Sequence, residues 1–69
     1  MEIIKLREEY IKLGQALKAA GFAQDGVDAK IMIKDGLVKV NGSVSLERGK
    51  KLYDGDLVEV DDKQIKIEK

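Results

Sequence analysis

The apolar positions along this chain switch period twice. Ile4 and Leu6 alternate with Lys5 and Arg7, so residues 1–7 predict a short strand. From about Tyr10 the spacing becomes helical. Leu13, Ala16, Leu17 and Ala20 fall at i, i+3, i+4 and i+7, which is one face of a helix. Lys12, Gln15, Lys18 and Ala19 take the other side. Gly14 lies inside this helix, where glycine costs about 1 kcal/mol relative to alanine. Gly21 is placed to end it in the left-handed conformation.

A second helix is predicted from about Gly26 to Asp35. Asp25 is a good N-cap, and Asp28 three residues on makes a weak capping-box pattern. At about 100° per residue, Ala29, Met32 and Ile33 share a face. Val27 and Ile31 lie nearly opposite, so the helix is predicted to be packed on two sides. Lys30 and Lys34 line one flank between these stripes, and Asp28 and Asp35 line the other.

After Gly36 the pattern is that of strands. Leu37-Val38-Lys39-Val40 reads as one. Asn41-Gly42 then predicts a tight hairpin, because both central residues of a type I′ turn need positive φ. Ser43-Val44-Ser45-Leu46 should pair back. Glu47 to Lys51 reads as a basic loop, and Tyr53-Asp54-Gly55-Asp56 as a turn. Leu57-Val58-Glu59-Val60 is a strand, Asp61-Asp62-Lys63 a turn, and Gln64 to Glu68 a last strand. The predicted class is α+β: two short helices on one side of a small, twisted, mostly antiparallel sheet of four or five strands.

Composition narrows the chemistry. At 69 residues the chain has room for one core, so residues 1–69 are read as a single domain. There is no Cys and no His, which removes disulfides, thiolate chemistry and the common zinc and nucleophile–base sites. No cofactor, metal site or catalytic residue is expected. Thirteen basic residues balance thirteen acidic ones, which argues against a wholly basic nucleic-acid tail but permits a local basic face. No apolar run approaches a membrane span. The start, Met1-Glu2-Ile3-Ile4-Lys5, lacks the apolar region of a secretory signal, so a cytoplasmic protein is expected.

Two charged sets remain. The basic set is Lys12 and Lys18 on helix 1, Lys30 and Lys34 on helix 2, and Arg48, Lys50 and Lys51 in the loop. Packed side by side, two helices could present these together to a phosphate backbone, each contact releasing a counterion. The plain alternative is a solvated helix flank. Gly49 would let backbone approach a ligand, but Gly49-Lys50-Lys51 is no P-loop, since Ser or Thr does not follow the lysine. The acidic set, Asp54, Asp56, Glu59, Asp61 and Asp62, lacks the spacing of a calcium loop. It reads as turn residues and a solvated edge strand. Nothing singles out a carboxylate pair for acid–base work.

The order of these parts resembles a known family. Helix, Gly, helix, Gly, Val38-Lys39-Val40-Asn41-Gly42, a basic stretch and Gly55-Asp56 before an apolar strand look like the S-four RNA-binding domain. This αL motif is named for ribosomal small-subunit protein four. The likeness runs from about Ile11 to Val60. It is nearest to the small stand-alone bacterial members of the YaaA and YbcJ type, through Ala29-Lys30, Val40-Asn41-Gly42, Arg48-Gly49-Lys50-Lys51-Leu52 and Gly55-Asp56.

The resemblance implies a cytoplasmic module that binds structured RNA such as ribosomal RNA; non-catalytic binding by a monomer, with ribosomal proteins as further partners, is expected. The family's RNA face, the helix pair and adjacent loops, carries over to Lys12, Lys18, Lys30, Lys34, Arg48, Lys50 and Lys51. Recognition is expected through shape and backbone, since no aromatic is expected on that face. Two departures stand out. Asp25-Gly26 occupies the start of helix 2, where many members have Ser-Arg or a basic pair. Gly14 stands where an acidic residue often follows the Leu of helix 1. The alternative is a protein-interaction module, such as a ribosome-associated adaptor, docking through an acidic strand and an exposed sheet edge.

Overall fold

Alternating valines and isoleucines build the sheet. In the computed structural model, which describes residues 1–69, the strands are β1 (Glu2–Lys5), β2 (Ile11–Lys12), β3 (Val38–Val40), β4 (Ser43–Val44), β5 (Lys51–Leu52), β6 (Leu57–Val60) and β7 (Lys63–Glu68). The helices are α1 (Leu13–Ala19) and α2 (Gly26–Lys34). One sheet has the order β1-β7-β6-β3-β4. Only the β1–β7 pair is parallel. Val40 sits opposite Val58, and Val58 opposite Ile65, so three buried side chains form one cross-strand row. Such rows are the unit of sheet stabilisation.

Both helices cover this apolar face. Leu13, Ala16 and Leu17 of α1 and Ala29 and Ile33 of α2 join Val38, Val40, Val58, Val60, Ile65 and Ile67 in one buried cluster. Each fully buried Leu or Ile contributes about 1.5–3 kcal/mol of burial free energy. The architecture is therefore the expected α+β one, two helices packed on a mostly antiparallel sheet.

Local signals were legible where a residue type performs a specific task. Asp25 caps α2, its Oδ1 accepting from the Asp28 amide at 2.8 Å. Asn41 and Gly42 have φ of 52° and 88°, the positive values that the hairpin requires. Gly21 and Gly36 end the helices at φ of 80° and 76°.

Other expectations are corrected. Helix 1 begins at Leu13, not near Tyr10, because Ile11 and Lys12 pair with Leu52 and Lys51 in a separate two-stranded ribbon. Two-residue strands have no period to read. Lys12 is thus the N-cap of α1, not a helical residue. Lys51 is in a strand, not a loop. The capping partner of Asp28 is the Gln24 amide, not that of Asp25. Helix 2 is packed on one side only: Val27 and Ile31 are 67% and 53% exposed. Ladder pairing of the return strand stops at Val44. The acidic strand β6 is internal, between β7 and β3, and the edges are β1 and β4. The acids therefore divide between turns at opposite ends of β6 and make no single acidic end.

Candidate nucleic-acid interface

The start of α1 and the loop before β5 are tied together by backbone. The Leu13 amide donates to the Lys50 carbonyl at 2.8 Å, and the Gly14 amide to the Arg48 carbonyl at 3.0 Å. Gln15 closes the same end, its Oε1 accepting from the Lys12 amide at 3.3 Å. Free amides at a helix start need partners, and here a loop of distant sequence supplies them. The loop backbone is held against the helix while its side chains stay exposed.

This junction leaves a cleft of about 270 Å³ lined by Lys12, Gly14, Gln15, Lys18, Gly26, Arg48 and Gly49, with no hydrophobic residue among them. Lys12, Lys18 and Arg48 bring three cations to it, and no carboxylate lines it. The glycines keep the walls low. An added Cβ on Gly14 would lie 2.7 Å from Arg48 Cγ, so the Arg48 stem runs across the space that a side chain there would fill.

The remaining basic candidates are distributed around this cleft. Lys51 lies directly opposite Lys12 across the ribbon, with its Nζ 4.8 Å from the centroid of the Tyr10 ring. Lys50 lines a different depression, with Val40, Asn41 and residues 43–47. Lys30 and Lys34 are exposed on α2. They follow Gly26 at i+4 and i+8, so by helical spacing they continue the flank that begins at the cleft. The molecule's two ion pairs are Lys5–Glu68 and Lys69–Glu9, each at 3.1 Å. None of the seven candidate cations has a carboxylate within bonding distance.

Aromatics are not absent from this region, contrary to expectation. Tyr10 and Tyr53 flank the ribbon with ring centroids 6.0 Å apart. Gly14, Gln15 and Gly26 are further residues of the cleft that sequence reading did not assign to it.

Two of the acidic residues, Asp54 and Asp56, and the Asn41-Gly42 turn have structural tasks. Asn41 accepts from the Leu57 amide at 2.9 Å and donates to Asp56 Oδ1 at 3.0 Å. Asp56 also accepts from the Tyr53 amide at 2.8 Å. Asp54 accepts from the Lys69 amide at 2.9 Å. Asn41-Gly42 and Gly55-Asp56 thus lock two turns to each other. No group of three or more acids converges where it could hold a metal ion, and no helix is long and apolar enough to cross a membrane.

A family model described as the S4 domain matches residues 4–68. The chain is similar to a protein of Bacillus subtilis (strain 168) named probable ribosome maturation protein RlbA. The two are 43% identical over 58 residues, covering 84% of this chain and 82% of that one.

Proposed function

From the chain's membership of the S4 domain family, an RNA-binding and ribosome-associated class, we propose that it binds structured RNA without catalysis, ribosomal RNA first. Lys12, Lys18 and Arg48 hold phosphates at the cleft, with Lys51 beside them. Lys30 and Lys34 extend the contact along α2, and Lys50 adds a contact at the loop. The observation that carries this reading is the cleft itself: three cations without carboxylate partners converge and no acid lines it. An arginine guanidinium can grip a phosphate with two parallel hydrogen bonds, whereas the lysines act as point charges.

The free energy of such binding comes largely from counterion release, so it falls steeply with salt. Specificity then comes from the shape of the folded RNA, whose phosphates must match the spacing of the cations. The B. subtilis relative is named for ribosome maturation, which makes ribosomal RNA the first substrate to test; the reading places this binding in the cytoplasm. In this reading residues 1–69 act as one binding unit, a monomer, and ribosomal proteins are secondary partners.

The experiment is a titration of a ribosomal RNA hairpin at several salt concentrations. A protein with Lys12, Lys18 and Arg48 all changed to Ala should lose most of its affinity and about three units of salt slope, about one for each contact. Unchanged binding by this folded variant overturns the reading.

A second reading, protein docking, draws on one observation. Val27 and Ile31 lie one turn apart on α2 and are exposed. A partner that stays bound at high salt and after nuclease treatment, and is lost when both are changed to Ser, would favour it.

A further inference from the structure

We propose that the outward face of the β2–β5 ribbon is a stacking platform for one unpaired RNA base, with Tyr53 as the stacking ring. The proposal rests on the cleft being a phosphate site and adds what lies next to that phosphate.

The geometry follows from strand alternation. Ile11 and Leu52 pair across the ribbon, and Leu52 is fully buried beneath it. Successive strand residues face opposite ways. The residues on either side of this inward pair therefore face out: Lys12 opposite Lys51, and Tyr10 alongside Tyr53. The rings confirm it, with centroids 6.0 Å apart and planes inclined at 53°. This is a tilted contact within the range in which aromatic pairs attract.

The two rings are not equivalent. Lys51 Nζ sits over Tyr10 at 4.8 Å, whereas no cation covers Tyr53. Exposure is 37% for Tyr10 and 44% for Tyr53. Tyr10 is the buttress, held by Lys51 and packed against Tyr53. Tyr53 has the less occupied ring. Its backbone N–H donates a hydrogen bond to Asp56 Oδ2 at 2.8 Å, so the backbone beneath the ring is already ordered before binding.

Charge identifies the occupant. The platform carries two lysines, and Lys12 belongs both to it and to the cleft. Tyr10 is two positions from Lys12, about 7 Å along the strand. A chain of phosphates entering the cleft would pass its adjacent base over the rings, and its charge would meet Lys51. Aromatic rings beside backbone-binding cations are how proteins hold unpaired bases. A base inside a duplex is already stacked and cannot reach the rings. The preferred ligand is therefore a helix interrupted by an unpaired nucleotide, not a continuous duplex.

The test compares two RNA hairpins with the same stem, one fully paired and one with a single bulged 2-aminopurine, whose fluorescence is quenched on stacking. Wild type should bind the bulged hairpin more tightly and quench it. Tyr53→Ala should lower affinity for the bulged hairpin about tenfold and abolish quenching. It should leave the paired hairpin and the salt slope unchanged. Tyr53→Phe should retain both properties, and Tyr53→Leu, apolar but without a π face, should behave like Tyr53→Ala. Equal binding of both hairpins by wild type, or an equal loss on both in Tyr53→Ala, overturns the platform while the cleft reading stands. If wild type binds neither hairpin in a salt-dependent way, the cleft reading itself fails. Thermal unfolding of each variant separates these results from loss of the fold.

Discussion

Gly14 and Arg48 share one space. An added Cβ on Gly14 would lie 2.7 Å from Arg48 Cγ, while the Gly14 amide donates to the Arg48 carbonyl at 3.0 Å. Gly14 thus positions the arginine in two ways: its backbone amide holds the Arg48 carbonyl, and its missing side chain leaves room for the Arg48 stem. A glycine that weakens a helix in isolation becomes the floor of a basic cleft.

Gly14→Ala is accordingly expected to separate stability from binding. The alanine gains about 1 kcal/mol of helix propensity, offset by the displacement of the Arg48 stem. Net stability should change by less than about 1 kcal/mol. RNA affinity should fall about threefold, with a smaller salt slope. Thermal unfolding and a salt series of RNA titrations check the two halves.

Basic residues should rank by their distance from the cleft. Lys12→Ala, Lys18→Ala and Arg48→Ala should each reduce the salt slope by about 1. Lys30→Ala and Lys34→Ala together should cost less affinity than Arg48→Ala alone, because they continue the flank outside the cleft. Removing either lysine also relieves a like-charge i, i+4 pair, a gain of a few tenths of a kcal/mol at about 0.2–0.5. Parallel binding and unfolding measurements would show losses and gains of opposite sign. A larger loss at Lys30 and Lys34 would move the interface to α2.

Asp25, whose carboxylate caps α2, immediately precedes Gly26, which lines the cleft. Asp25→Ser keeps a side-chain oxygen for the Asp28 amide and removes the charge. Stability should change by less than about 0.5 kcal/mol, whereas Asp25→Ala should lose about 1 kcal/mol. RNA affinity should rise about twofold to threefold in both variants at low salt. Affinity unchanged in both would show that phosphates do not approach the start of α2.

Asn41→Ala should affect the fold far more than the cleft, none of whose lining residues Asn41 bonds. It removes the acceptor for the Leu57 amide and the donor to Asp56, and it puts alanine at a φ of 52°. Loss of the hydrogen bonds costs about 1–3 kcal/mol, with backbone strain in addition. The melting temperature should drop, while affinity for a fully paired RNA hairpin, per folded molecule, should fall less than in Arg48→Ala.

Much of this was written locally. The apolar period located both helices and the strands of the main sheet, and Asp25, Asn41, Gly21 and Gly36 marked their ends. These signals act between neighbours in sequence, where a cap, a turn or a face is decided by a few adjacent residues. The basic residues could be grouped by type and by motif order, but not ranked. The β2–β5 ribbon joins Ile11-Lys12 to Lys51-Leu52 through pairing with no period of its own. Only that long-range pairing starts α1 at Leu13, sets Lys12 against Lys51 and brings the tyrosines together. Likewise, only packing shows that Val27 and Ile31 stay exposed, since an apolar stripe predicts burial but does not provide a surface to bury it. Residue types and short spacings determined the elements and the class of partner. Contacts between distant segments decided which cations share a cleft and which ring lies beside it, because proximity across about forty residues is a property of the fold and not of the local chain.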